Sequence, residues 1–278
     1  MSRKFTGEEG DWLDDVENAQ PRKTGKKAVI SRAQILTPAQ GNAVVTQIFP
    51  NQCAARRDGQ SESALCGYRM STLAFGLTKR ERSPVCVGDR VLLEAGVVVG
   101  RCERKNRIAR PAPNARDPLI HVLAANLDCL VVVAAAREPE FTCGFVDRLF
   151  AAAAAQKIPA ILCVNKADLL KPDEPRPWSH YPAAGIAVVE TSARKGEGTG
   201  GLLALIRGKT AAFCGNSGVG KTSLLRCLLG DEDYGRTGAV NEKSGKGRHT
   251  TSGAVMLAGP GGSNFIDTPG VMNFELID

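Results

Sequence analysis

The octapeptide GNSGVGKT, Gly215 to Thr222, restricts the possible folds of this 278-residue chain more than any other stretch. It fits the pattern Gly, four residues, Gly-Lys-Ser/Thr in full, between an apolar run, TAAFCG, and a helical one, GKTSLLRCLLG. A loop of this kind needs glycines where backbone N–H groups close on phosphate oxygens, and Gly215, Gly218 and Gly220 supply them. Asn216, Ser217, Val219 and Ser223 complete the predicted cradle. Lys221 is placed to reach β- and γ-phosphates, and Thr222 to offer its hydroxyl to Mg²⁺. The helix that follows turns the positive end of its dipole toward the same point. Strand, tight turn and helix in succession are the unit from which α/β sheets are built.

The rest of the C-terminal part repeats that unit. CLVVVAAA is a continuous apolar run, as a strand buried on both faces should be. FVDRLFAAAAAQ reads as a helix, IPAILCV and GIAVVETS as strands, and GLLALIR as a helix. GAVMLAG and NFIDTPG read as two strands joined by the turn GPGG. The expected layout is α/β around a mostly parallel sheet.

A second motif selects the base. NKAD, Asn165 to Asp168, follows the strand IPAILCV, so it stands at the carboxyl edge of the sheet, where ligands of such folds bind. The Asp168 carboxylate can accept from guanine N1–H and N2–H₂ together, whereas adenine lacks the N2 amine. A buried acceptor left unpaired is expensive, so such a site discriminates strongly. Lys166 can lie along the base plane, Asn165 can brace the loop, and Ala167 lies between Lys166 and Asp168. Thr191, Ser192 and Ala193 follow the next strand and can reach the base through backbone N–H groups. Asp267 of DTPG suits an outer-shell or water-mediated Mg²⁺ contact, and the Gly270 N–H suits a γ-phosphate. GRHTT, Gly247 to Thr251, is where a loop closing a threonine onto Mg²⁺ belongs; Thr250 and Thr251 both remain candidates. The parts therefore run base reader, base contact, P-loop, then the two switch segments. Usually the P-loop comes first, so the order predicts a circular permutation.

The N-terminal part is different. Residues 1–27 are polar, end in PRKTGKK, and are expected to form a flexible basic-tipped arm. From 28 to 114 short β-rich runs alternate with turns: AVISRAQIL, NAVVTQIF, LAFGL, DRVLLEA and GVVVGRCE. A small closed or half-closed barrel is expected there. ARPAPNARDP breaks the pattern, and the second domain is expected over 115–278. Residues 1–114 hold 19 Lys+Arg against 12 Asp+Glu, while residues 115–278 hold 17 of each. The chain's excess of +7 therefore belongs to the first part, which suggests a polyanionic partner such as RNA. Aromatic residues are 5% of the chain, which favours recognition of shape and backbone over base stacking. The nine cysteines form no C-x-x-C or C-x-C pair and are expected to be reduced and buried. No apolar run approaches the ~20 residues of a membrane-spanning helix. The first twenty residues do not read as a signal or transit peptide, so a cytoplasmic monomer with no membrane contact is expected.

VGDRV (Val87–Val91), NRIARP (Asn106–Pro111), ANLD (Ala125–Asp128), NKAD, TSARKGEG, GNSGVGKTS, GRHTT and DTPG together resemble one family closely. It is the ribosome small-subunit-dependent GTPase A family, the circularly permuted bacterial GTPases of small-subunit maturation. The resemblance implies an OB-fold barrel followed by a permuted P-loop GTPase domain. It implies Mg²⁺-dependent hydrolysis of GTP to GDP, with the small (30S) ribosomal subunit and its rRNA as partners late in assembly. It also implies that a switch histidine, here His249, positions the attacking water, because the residue after Gly270 is Val271 rather than glutamine. The family continues into a zinc-binding helical domain, whereas this sequence ends at VMNFELID with no Cys or His after Gly270, so no zinc site is expected. The competing expectation is a truncated RNA-binding module that binds GTP with little or no turnover.

Overall fold

The structure is a computed structural model and describes residues 36–73, 81, 83–111, 120–235 and 253–269. The expected arm, the expected boundary near 114 and the segment 236–252 lie outside the described residues.

Five short strands close into a barrel: β1 (Ala43–Phe49), β2 (Gln52–Arg57), β3 (Ser63–Tyr68), β4 (Arg90–Glu94) and β5 (Val97–Arg101), with the single turn α1 (Met70–Leu73) after β3. The strand order is β1-β2-β3-β5-β4, with β4 pairing back onto β1. Only the β3–β5 pair is parallel. This is the OB-like barrel that the resemblance implies. Closure leaves the strands few unpaired edges. Ala43, Val45, Cys53, Ala55, Cys66, Val91, Leu93 and Val98 fill the interior. Small side chains suit so narrow a lumen. They also explain why β2 and β3 escape a pattern search for β-branched strands. The expected strand LAFGL is corrected at its start, where Leu73 closes α1 and is buried in the barrel core; residues 74–77 lie outside the described residues.

A bulge at Thr46 bends β1. The Thr46 hydroxyl donates to Ala54 O at 3.2 Å and lies 2.9 Å from Ser63 Oγ. Beyond the bulge Gln47 pairs with Val255, so β1 serves the barrel and a second sheet at once. The antiparallel ribbon β6 (Arg107–Pro111) and β7 (Ile120–Ala125) follows the barrel. The sequence pattern did not predict it.

The motifs VGDRV, NRIARP and ANLD hold barrel and ribbon together. Gly88 sits at φ +88°, where a Cβ would lie 2.2 Å from Ala125 O, so only glycine fits. Ala125 N donates to Val87 O at 3.0 Å, and Asn126 Nδ2 to Gly88 O at 2.9 Å. Asn106 pairs both side-chain groups with the backbone of Leu127, at 2.8 and 2.9 Å. Asp89 is fully buried and accepts from Arg104 through both oxygens, at 2.6 and 2.8 Å, and from Cys86 N at 2.7 Å. Glu81 receives Arg101, Arg104 and Arg107.

The second sheet contains β8 (Cys129–Ala135), β9 (Ala160–Asn165), β10 (Ala187–Glu190), β11 (Thr210–Gly215), β12 (Val255–Ala258) and β13 (Asn264–Asp267). Its order is β10-β9-β8-β11-β13-β12, parallel except for β12. Every residue of β8 is buried. Leu130, Val132 and Ala134 face one core with Phe145, Val146 and Leu149 of α2 (Cys143–Ala155). Val131 and Val133 face the other core with Leu202 of α3 (Thr199–Ile206) and Leu224 and Leu228 of α4 (Lys221–Leu229). The chain runs outward from β8 to β10, then returns to β11 on the other side of β8. That reversal is the topological switch point where such sheets bind ligands. Started at β11 and closed from β13 to β8, the same sheet would have its P-loop strand first. The nine cysteines are free, seven of them buried, and burial pushes the Cys163 thiol up to about 12. Among the described residues no helix is long and apolar enough to cross a membrane.

Asp89→Ala should strip the buried Arg104 of its two-oxygen partner. The expected loss is about 3 kcal/mol of unfolding free energy in urea titrations, since the buried Arg104 would keep only Glu81, which it shares with Arg101 and Arg107. A loss under about 0.5 kcal/mol, the range of ordinary surface substitutions, would refute the role given to this pair.

Candidate functional site

Strands β8, β9, β10, β11 and β13 end at one edge of the sheet, and the loops that leave them converge there. β11 runs into the P-loop and α4 begins at Lys221. Gly215 is buried, and a Cβ on it would lie 2.4 Å from Val133 O of the neighbouring strand. Gly220 has φ +87°, and a Cβ there would meet Asn165 Nδ2 at 2.4 Å. Both the backbone angle and the approach of the asparagine therefore require glycine at 220.

Asn165 is 2% exposed and joins three loops. Its Nδ2 donates to Val219 O at 3.0 Å, inside the P-loop. Its Oδ1 accepts from Ala193 N at 3.0 Å and Thr191 Oγ1 at 3.3 Å, at the end of β10. The amide thus satisfies its hydrogen bonds by tying the end of β9 to the loop between β11 and α4. Beyond it Lys166 takes a left-handed conformation, φ +61°, which starts the short turn Ala167–Leu169. Ala167 N donates to Thr191 O at 3.0 Å. Ser192 donates to Asp168 Oδ1 at 2.6 Å. That bond holds the Asp168 carboxyl below its usual range, so it is ionised at neutral pH. The Lys166 ammonium donates to Glu138 O, drawing its stem past Gly220.

A cleft of about 450 Å³ opens beside this knot. Of the expected residues, Lys166, Asn216, Ser217, Gly218, Gly220, Lys221, Thr222, Ser223 and Asp267 line it, and Thr268 and Pro269 join them. Gly215 and Val219, within the P-loop, are buried. Asn165, Ala167, Asp168, Ser192 and Ala193 form the flanking loops. His249, Thr250, Thr251 and Gly270 lie outside the described residues.

The cleft has a cationic and an anionic wall. The Lys221 ammonium donates to Thr268 O and lies 3.2 Å from Asp267 Oδ1. Asp267 is 8% exposed; its Oδ2 accepts from Tyr234 OH at 2.7 Å. Its Oδ1 is buried with no hydrogen-bond partner among the described residues. A buried carboxylate oxygen whose one neighbour among the described residues is the Lys221 ammonium, in the cleft that Thr222 also lines, fits a hard, oxygen-seeking cation such as Mg²⁺. Tyr234 belongs to no motif. Only the fold brings it to Asp267, so no sequence signal marks it. Burial, and then the Asp267 carboxylate, hold its phenol well above the ordinary value, so it remains a donor.

Gly220→Ala should weaken nucleotide binding at least tenfold, because the added methyl must displace Asn165 or the P-loop. Titration with a fluorescent GDP analogue measures this. Unchanged affinity would show that the Asn165–Gly220 approach is not needed for binding.

The RsgA GTPase family model matches residues 101–277. A small ribosomal subunit biogenesis GTPase RsgA of Marinobacter nauticus is 41% identical over 200 residues, which are 68% of this chain and 56% of that protein. The protein of the same name from Azotobacter vinelandii is 34% identical over 251 residues, 87% of this chain and 69% of that protein. The crystal structure of YjeQ from Thermotoga maritima superposes with a TM-score of 0.61 at 25% identity, covering 83% of this chain and 74% of that one. That of YloQ, described as a circularly permuted GTPase, gives 0.55 at 21% identity, covering 84% and 73%, and supports the fold alone. With a family model matched over more than half its length and a relative matched over most of it, the chain belongs to the RsgA GTPase family.

Proposed function

We propose that this chain binds GTP at the switch-point edge of its sheet and hydrolyses it to GDP and phosphate while acting in small ribosomal subunit maturation in the cytoplasm. The observation that carries the reading is the Asn165 knot. One buried amide holds the Asp168 loop and the P-loop in fixed relation, so a base and its phosphates are read together. The names of the relatives carry the ribosomal part. In this reading residues 28–114 form the RNA-binding barrel and 115–278 the nucleotide domain.

The Asp168 carboxylate accepts from guanine N1–H and N2–H₂, with Ser192 fixing its orientation. The Lys166 stem lies along the base, and Ser192 and Ala193 bound its far side. Backbone N–H groups from Asn216 to Ser223 surround the phosphates. The Lys221 ammonium leaves Asp267 and the Thr268 carbonyl to meet the β- and γ-phosphates. Thr222 and Asp267 would hold Mg²⁺, with Thr250 or Thr251 added from the switch segment; bound Mg²⁺ neutralises charge developing on the phosphates. The Gly270 N–H meets the γ-phosphate, and His249 orients the attacking water.

Asp168→Asn should abolish the preference for GTP over ATP in competition binding, because a side-chain amide cannot accept from both guanine donors through one face. Retained selectivity would remove Asp168 as base reader. The experiment for the whole reading is phosphate release from GTP with and without purified small ribosomal subunits. Strong stimulation is expected, and His249→Ala should cut the stimulated rate at least tenfold with GTP affinity nearly intact. GTP bound without release in either condition would favour the binding module; equal rates in His249→Ala would remove the histidine from water positioning.

A further inference from the structure

α4 ends at Gly230, which takes φ +65°, and the chain folds back along the helix instead of leaving it. Four residues later Tyr234 is held at both ends. Its carbonyl accepts from Arg226 Nε on α4, and its hydroxyl donates to Asp267 Oδ2 at 2.7 Å at the end of β13. Between these anchors the ring packs on the core beneath α4. The next residue, Gly235, has φ +71°, and a Cβ there would lie 2.5 Å from Thr222 Cγ2. Residues 234 and 235 therefore touch both groups assigned to the cation, Asp267 and Thr222, although neither belongs to a nucleotide-binding motif.

We propose that Tyr234 is a positioning residue for Asp267: its hydroxyl occupies one carboxylate oxygen and fixes the other toward the cation side of the cleft. The inference rests on the Mg²⁺ reading above. Asp267 Oδ1 is buried, makes no hydrogen bond among the described residues and faces the Lys221 ammonium, while Oδ2 accepts from Tyr234. With the phenol in place, the carboxylate presents one oxygen in one direction. Without it, the carboxylate can turn both oxygens toward the Lys221 ammonium, 3.2 Å from Oδ1. That closer pair would hold back the charge the phosphates need and withdraw the oxygen the cation needs. Groups that orient a metal ligand commonly change metal affinity by about 10- to 100-fold.

Tyr234→Phe removes the hydroxyl and keeps the ring on its core contacts. Binding of N-methylanthraniloyl-GDP is titrated with Mg²⁺ for wild type, Tyr234→Phe, Asp267→Asn and the double variant. The Mg²⁺ concentration at half-maximal effect should rise about tenfold in Tyr234→Phe. Affinity in EDTA should stay within about twofold, and the thermal midpoint should hold within a few degrees. Asp267→Asn should shift the Mg²⁺ midpoint at least as far, and the double variant no further, because Tyr234 acts through Asp267. A wild-type midpoint in Tyr234→Phe, with wild type Mg²⁺-dependent, overturns the proposal and leaves the Mg²⁺ reading standing. So does an additive double variant, or a loss of EDTA affinity and thermal stability matching the Mg²⁺ shift. Wild-type binding indifferent to Mg²⁺ overturns the Mg²⁺ reading and this proposal with it.

Discussion

One buried side-chain amide sets the geometry of the candidate nucleotide site. Asn165 ends β9, and water cannot serve its polar atoms at 2% exposure. Leaving them unpaired would cost about 1–3 kcal/mol for each orphaned group. The amide is satisfied only when the P-loop carbonyl of Val219 lies on one side and the Ala193 N–H on the other. Gly220 must then lack a side chain, and β10 must end where Thr191 can reach. Three loops from different strands are placed by one group.

A second constraint joins the barrel to the nucleotide domain. Thr46 bulges, so β1 closes the barrel with one half and continues the second sheet with the other. Val255 of β12 pairs with Gln47 on one side and with Asp267 on the other. The barrel wall and the carboxylate of the phosphate cleft are thus neighbours separated by a single strand. Arg56 adds a side-chain tie, donating to Asn264 Oδ1 at 2.5 Å. The buried Asp89–Arg104 pair and the Gly88 contact to Ala125 fix the ribbon beside the barrel. VGDRV, NRIARP and ANLD are therefore joint residues, whose work is to keep two differently built halves in one frame.

The parts of the site legible in the sequence are those whose chemistry is local. The P-loop pattern is a contiguous run of glycines, lysine and threonine, so Gly215 to Ser223 could be picked out of the sequence as one loop between a strand and a helix. NKAD was readable for the same reason. β8, β9 and β11 stood out because strands buried on both faces are continuous apolar runs. β2 and β3 did not, because a narrow barrel is filled by cysteine and alanine, which carry little strand preference. β6 and β7 were hidden by the proline-rich stretch between them, which read as a linker. Tyr234 was invisible, since its role depends on a backbone reversal that no local pattern records.

The sequence by itself determined the chemical inventory, the cyclic order of the motifs and the α/β character of the C-terminal part. These follow from residue type, spacing and hydrophobic period, which act over a few residues at a time. Only the tertiary structure decided which groups meet: Asn165 with Val219, Ser192 with Asp168, Tyr234 with Asp267, and β1 with β12. Those contacts join residues 24 to 208 positions apart along the chain. They are selected by sheet order and by the demand that buried polar groups find partners, and both are properties of the folded whole.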